Sequence, residues 1–248
     1  MEKTIIPKII HYCWFGRKEI PKNAQKNIKT WKKYHPDFKF ILWDENKFDI
    51  ESAPKYVKEA YQSKRYAFVS DYVRLIALQK FGGIYLDTDV EVIKSFEKFL
   101  NNEAFLGFET EEMLGSGIIG TIPNHSFTKA ILETYQNDSF YLTNGTKNLT
   151  PNTKRITEIC VDKFGLQLNN KQQYLDCMKV EIFPIRYFCA KDIFSGKIII
   201  TKDTYSIHHF QGNWLPKHIR FRRKIRIFLG PMIANEYIKI RNFFKKKG

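Results

Sequence analysis
The chain lacks a cysteine pair at metal or redox spacing, a long apolar run and an acidic surplus, and each absence narrows what it can be. Its four cysteines, Cys13, Cys160, Cys177 and Cys189, show neither Cys-x-x-Cys spacing nor the density of a secreted disulfide scaffold. They are expected to be reduced thiols in a cytoplasmic protein. No apolar span reaches the ~18 residues needed to cross a bilayer, and Pro7 and Lys8 interrupt the early run that a signal peptide would need. The sequons at Asn137, Asn144 and Asn148 are therefore not expected to carry glycans. Internal repeats and low-complexity stretches are also missing, and no clear linker precedes residue 216.

What is present is enough apolar material for one large core: 43% hydrophobic residues over 248, with 21 Phe and 13 Tyr. The net charge of +15 is uneven. From Lys217 onward, 11 Lys and Arg residues face a single acid, Glu236. Apolar residues there recur at three- and four-residue steps, Phe221, Ile225, Phe228 and Leu229, then Ile233, Tyr237, Ile240 and Phe244, around a break at Gly230-Pro231. This pattern predicts a basic amphipathic helical tail over 217–248, set apart from a main domain over 1–216. Such helices lie on anionic membrane surfaces, so the protein is expected to be peripheral at the inner face of the cell membrane. A helical cap with a solvated basic face, or a nucleic-acid patch, are the alternatives.

Along the main domain, Ile5 to Phe15 is rich in β-formers, Pro21 to Tyr34 has helical composition, and Phe38 to Trp43 is a short strand ending on Asp44. Residues 54–66 and 69–81 read as helices, and Gly82-Gly83 stops the second before an apolar strand beginning at Ile84. Strands alternating with helices predict an α/β domain built on an open, mostly parallel sheet. The middle is less legible. Ala104–Phe108 and Ile118–Ile122 suit strands, and Ser126–Tyr135 and Asn152–Phe164 suit helices.

The richest stretch is Gly82-Gly-Ile-Tyr85-Leu-Asp87-Thr-Asp89-Val, where an apolar strand ends on two acids. In open α/β sheets ligands collect beyond the carboxyl ends of strands, and hard divalent ions favour carboxylate oxygens shared with phosphates. If the strand continues from Ile84 to Val92, alternation puts Asp87 and Asp89 on one face. A turn carrying two solvated acids is the plain alternative. Asp71 and Arg74 share a face of the preceding helix, as a surface ion pair or as a contact to sugar and diphosphate. Ile9-Ile-His11-Tyr-Cys-Trp14-Phe-Gly16 ends a strand in an aromatic that either packs in the core or stacks on a base. The late run Tyr205-Ser-Ile-His208-His209-Phe-Gln-Gly212-Asn-Trp214 could bring an imidazole to the same ion.

Taken together, Ser70-Asp71-x-x-Arg74, Gly82-Gly83-Ile-Tyr85-x-Asp87-x-Asp89, the Trp14 run and the His208-His209 run resemble the sugar-binding Asp-x-Asp region of glycosyltransferase family 32. That group holds bacterial capsular-polysaccharide transferases and yeast Och1-like mannosyltransferases, and it is more distantly similar to the clostridial glucosylating toxins. The resemblance covers 5–100 and 198–215 and implies a GT-A fold over 1–216, a nucleotide-sugar donor, Mn²⁺ or Mg²⁺, and retention of configuration. It assigns Asp89, Asp87 and a histidine to the metal, with His209 preferred over His208 for its spacing to Gly212. Trp14, His11, Asp71, Arg74, Tyr85 and Asp87 go to the donor, and Arg74, Asp87 and Asp89 to catalysis. The donor sugar leans to UDP-galactose or UDP-glucose, and the acceptor to a glycan or lipid-linked oligosaccharide. Gly212-Asn213-Trp214 departs from the usual Gly-Ser-Trp, and Gly115-Ser116-Gly117 lacks a common asparagine, so it receives no role. Glu109, Glu111 and Glu112 read as a surface loop.

Two rivals fall on the residues. A haloacid-dehalogenase-type phosphatase needs a downstream Gly-Asp or Asp-Asp pair, and neither dipeptide follows residue 90. A nucleic-acid module built on the tail leaves 5–100 without purpose, so no nucleic-acid partner is expected.

Overall fold
The computed structural model describes residues 5–212. The order is β1 (Ile9–Cys13), α1 (Lys22–Tyr34), β2 (Lys39–Trp43), α2 (Lys55–Gln62), α3 (Tyr66–Phe81), β3 (Gly83–Leu86), β4 (Val90–Val92), β5 (Ala104–Thr110) and β6 (Met113–Thr121). Then come α4 (Ser126–Glu133), α5 (Asn152–Phe164), β7 (Gln173–Leu175), β8 (Val180–Phe183), α6 (Ile185–Phe188) and β9 (Ser206–His208). The predicted tail over 217–248 and Trp214 lie outside the described residues.

Seven strands form one sheet in the order β2-β1-β3-β6-β5-β8-β7, and β4 pairs with β9 in a second, two-stranded sheet. The β2-β1-β3 side is parallel, as the alternating β-α-β sequence predicts, while β6 runs antiparallel to both β3 and β5. The sheet is therefore mixed, with parallel pairing returning between β5 and β8. Side chains alternate across it. Ile84, Leu86, Phe105 and Phe183 join one apolar layer with Trp31 and Phe96. Tyr85, Leu106, Ile119 and Ile182 join the other with Val73, Leu78 and Phe127. Covered on both faces, the short strand β3 is apolar at every position after Gly83, as buried parallel strands are.

Two local features set the frame of the site. Gly83, at φ +96°, lies so close to β1 that a Cβ would stand 2.6 Å from the Ile9 carbonyl oxygen, and only glycine allows β3 to start there. At its other end β3 does not continue to Val92 as alternation suggested. The Val90 amide donates to the Asp87 carbonyl at 2.9 Å, closing a turn that carries the chain out of the large sheet and into β4. Helix α1 clamps that turn: Asn27 donates to the Thr88 carbonyl at 3.0 Å, Thr30 Oγ1 accepts from the Val92 amide at 3.0 Å, and the Trp31 indole donates to the Val90 carbonyl at 2.7 Å.

Trp31 is fully buried, so Trp31→Phe leaves a buried carbonyl without its donor. We expect a loss of about 1–3 kcal/mol in urea unfolding, together with weaker ion binding at the neighbouring Asp89.

Candidate functional site
Strands β1 and β3 run parallel with His11 opposite Tyr85, so Trp14 and Asp87 emerge at one sheet edge. Trp14 is held by its indole donating to the Lys18 carbonyl at 2.7 Å, and it is half-buried. The Asp87 amide donates to the Gly117 carbonyl at 2.9 Å, which ties the acid turn to β6.

Behind the turn lies a buried ionic cluster. Arg74, 4% exposed, projects from α3, and its Nη2 donates to Asp71 Oδ1 at 2.7 Å and lies 3.3 Å from Asp87 Oδ1. Its Nη1 donates to the Ser116 carbonyl at 2.6 Å and to Ser116 Oγ at 3.1 Å, and its Nε donates to the Ser70 carbonyl at 3.3 Å. The guanidinium also stacks 4.5 Å above the Tyr85 ring, whose hydroxyl donates to Asp87 Oδ1 at 2.8 Å. Every nitrogen of Arg74 is thus engaged inside the protein. Where the sequence suggested a contact to diphosphate, the structure places the guanidinium against Asp71, Asp87 and Ser116. Burial pushes the Asp71 carboxyl up to about 6, and Arg74 opposes that shift.

In front of the turn, His208 of β9 sits opposite Val90 of β4, and its Nε2 lies 3.1 Å from Asp89 Oδ1. The other Asp89 oxygen accepts from the Gln211 amide at 2.8 Å. Burial alone would raise the Asp89 carboxyl, but the His208 cation and these hydrogen bonds bring it down to about 2. His208 is buried, yet the facing Asp89 carboxylate outweighs desolvation and holds its imidazole well above the usual range. Ligand atoms of Asp87, Asp89 and His208 lie within 4.8 Å of one another. The donor set, two carboxylates and an imidazole, suits Mn²⁺ or Mg²⁺.

Two predicted placements change. His209, favoured by its distance to Gly212, instead bonds through Nε2 to Glu91 Oε2 at 2.8 Å, because pairing with β4 turns alternate residues of β9 toward the acids. His11 is fully buried: its Nδ1 accepts from the Trp43 indole at 3.1 Å, so its Nε2 carries the proton and donates to the Gly82 carbonyl at 2.9 Å. Burial lowers it to about 4, and its ring ties β1 to β2 and to the end of α3.

Sequence reasoning passed over the β5–β6 hairpin. Glu109 is not in a surface loop: its Oε2 lies 3.8 Å from His208 Nδ1, on the imidazole edge away from Asp89, and only Glu111 and Glu112 occupy the exposed turn. Opposite it, a Cβ on Gly117 would stand 3.2 Å from Asp87 Oδ2 and 3.0 Å from His208 Cε1. Together Gly107, Gly115, Gly117, Phe188, Cys189 and His208 line a small cavity beside the ion-binding atoms. Paired glycines inside a strand were the available signal, since they mark close approach of another group.

Residues 21–106 match the family model described as the glycosyltransferase sugar-binding region containing the DXD motif, a span that includes Asp71, Arg74, Asp87 and Asp89. The chain is 32% identical over 130 residues to inositol phosphoceramide mannosyltransferase 3 of Schizosaccharomyces pombe, covering 51% of this chain and 36% of that one. It is 31% identical over 154 residues to the uncharacterized glycosyltransferase L373 of Acanthamoeba polyphaga mimivirus, covering 57% and 61%. The chain spans about a third to a half of the length of the yeast relatives it matches. Among solved structures the PaToxG glycosyltransferase superposes with a TM-score of 0.51 at 21% identity, over 65% of this chain and 71% of that one. The fold is GT-A.

Two substitutions separate scaffold from site. Arg74→Met removes the buried cation between two partly buried carboxylates and should cost about 3–5 kcal/mol in thermal unfolding. Gly117→Ala should leave the melting temperature near that of the parent but weaken Mn²⁺ binding at least about tenfold by calorimetry, the scale seen when a ligand's surroundings are disturbed.

Proposed function
We propose that this protein is a retaining, Mn²⁺- or Mg²⁺-dependent hexosyltransferase that moves a sugar from a nucleotide donor to a surface-glycan acceptor, lipid-linked and presented at the inner membrane face. The observation that carries the reading is the convergence of Asp87, Asp89 and His208 at the edge where β1 and β3 end, within a GT-A fold. UDP-galactose or UDP-glucose fits Trp14 as a stacking surface for uracil. The names of the yeast relatives favour a second donor, an activated mannose.

Asp87, Asp89 and His208 would hold the ion, which neutralises the diphosphate as it leaves. Asp87 is oriented for this from behind by the Arg74 guanidinium and the Tyr85 hydroxyl, so its carboxylate needs little reorganisation on binding. Asp71, near the same edge, offers a carboxylate to sugar hydroxyls. Burial weakens this acid, and Arg74 opposes the shift. Trp14 stacks on the base, and Glu109, 3.8 Å from the second ring nitrogen of His208, adds negative charge on the side of the imidazole away from Asp89. With no base dedicated to the acceptor, retention follows from attack on the same face as the leaving diphosphate, which takes up the acceptor's proton.

Because His208 holds a proton well above its ordinary range when Asp89 is its partner, an incoming ion must displace that proton. Mn²⁺ affinity should therefore rise with pH through neutrality, and calorimetry in buffers of different ionisation enthalpy should show a proton released. Equal heats in all buffers would remove His208 from the ligand set. Turnover of a panel of UDP- and GDP-sugars with Mn²⁺ tests the activity. Asp89→Asn should abolish metal-dependent donor hydrolysis, and a variant retaining substantial turnover would overturn the site.

A further inference from the structure
Between α6 and β9 the chain makes a tight hairpin over residues 190–200. Its base is closed by the Ile199 amide donating to the Ala190 carbonyl at 2.8 Å and by a bridge between Lys191 and Ile198. At the tip the Asp192 amide donates to the Lys197 carbonyl at 2.8 Å, and the Gly196 amide to the Asp192 carbonyl at 2.9 Å. Ser195 donates from both its amide and its hydroxyl to Asp192 Oδ1 at 2.6 Å. The backbone is well bonded internally, yet the side chains it presents are apolar. Phe194, Ile198, Ile199 and Ile200 are 61%, 43%, 56% and 60% exposed, the densest group of exposed large apolar residues among those described. A soluble surface has no use for three consecutive exposed isoleucines, and such a patch marks an interaction site.

Its borders are basic. Lys197 and Lys202 interleave with or flank the apolar residues. The two acids in this stretch are engaged locally, Asp192 with Ser195 and Asp203 with Arg186 at 3.1 Å. Apolar residues along one short hairpin, Phe194 at its tip and Ile198 to Ile200 on its returning arm, with lysines beside them match the layering of a bilayer interface, acyl chains beneath and anionic headgroups above. In the sequence, the basic segment from Lys217 follows soon after.

We propose that the 190–200 hairpin docks into the interface of an anionic lipid bilayer, with Phe194, Ile199 and Ile200 entering the headgroup boundary. The hairpin springs from Cys189, which lines the small cavity beside His208, and Lys191 Nζ donates to the His209 carbonyl at 3.3 Å. Docking by this element therefore holds the ion-binding edge close to the membrane surface. The attachment itself does not rest on the glycosyltransferase reading; only its use, presenting a lipid-linked acceptor, does.

The test uses the full chain with vesicles of phosphatidylcholine alone or mixed with phosphatidylglycerol. Phe194→Ser, Ile199→Ser and Ile200→Ser combined should weaken sedimentation with the anionic vesicles by roughly tenfold or more, as loss of inserted apolar area demands. The melting temperature and donor hydrolysis without vesicles should stay unchanged, since these side chains are exposed. That separates failure of docking from failure of the catalytic reading. In a Cys177→Ser background, Ser195→Cys carrying an environment-sensitive dye should shift to the blue only with anionic vesicles. Unchanged sedimentation of the triple variant, or loss of binding solely on removing 217–248, overturns the proposal. So does a dye already in an apolar setting without lipid, which would mean that protein covers the hairpin.

Discussion
The buried pairing of Arg74 with Asp71 and Asp87 is the constraint on which the rest of the site depends. Carboxylates drawn out of water repel one another strongly at short range, and a cation placed between them offsets that repulsion. Arg74 does this from α3 while its other donors fix Ser116 of β6, so one side chain ties the helix, the end of β3 and the neighbouring strand together. The aromatic face of Tyr85 completes the enclosure. Even so, the cluster is under-neutralised. Asp71, Asp87, Asp89 and Glu109 outnumber Arg74 and a protonated His208, and Glu109 is pushed up by burial, with Asp87 and Asp89 adding to the shift. A pocket that holds acids in excess of its own cations is built to accept positive charge from outside.

The turn at Asp87 to Asp89 is the joint between two sheets, and this explains how residues distant in sequence meet. Asp87 ends the large sheet and is oriented from behind by Arg74. Asp89 opens onto the small sheet, where β9 delivers His208 in front. The two acids are thus held by independent parts of the fold, each through its own cation. Gly117 allows this closeness because any side chain there would fill the space between Asp87 and His208.

What the sequence disclosed follows the same division. Helix periodicity and the glycine pair located α3 and β3, and the spacing of Asp71 and Arg74 placed them on one face, since each of these is set by neighbours in the chain. The continuation of the strand to Val92 was misread because the turn is enforced by α1, which clamps it through Asn27 and Trp31. The histidine was misread for a similar reason. Register against β4 decides which member of the pair faces the acids, and a left-handed Phe210, at φ +51°, breaks the regular path toward Gly212. Strands of three and four residues, such as β7 and β8, carry too little periodicity to be seen, and Glu109 looked exposed because only the tip of its hairpin is.

Docking of the hairpin as proposed would also change what the ionic cluster has to accomplish. An acceptor confined to a surface meets an enzyme held at that surface at a far higher effective concentration than in solution, so affinity for the acceptor need not be built into a deep pocket. The cavity beside His208 is small and walled by glycines and Phe188, which fits a site that relies on being placed rather than on enclosing both partners. On the proposed function the donor, by contrast, would arrive freely from solution and be held by charge and stacking. That asymmetry matches the placement of the ionic cluster around Arg74, Asp87 and Asp89 at the edge where β3 ends, and of the densest exposed apolar group on the hairpin that follows α6.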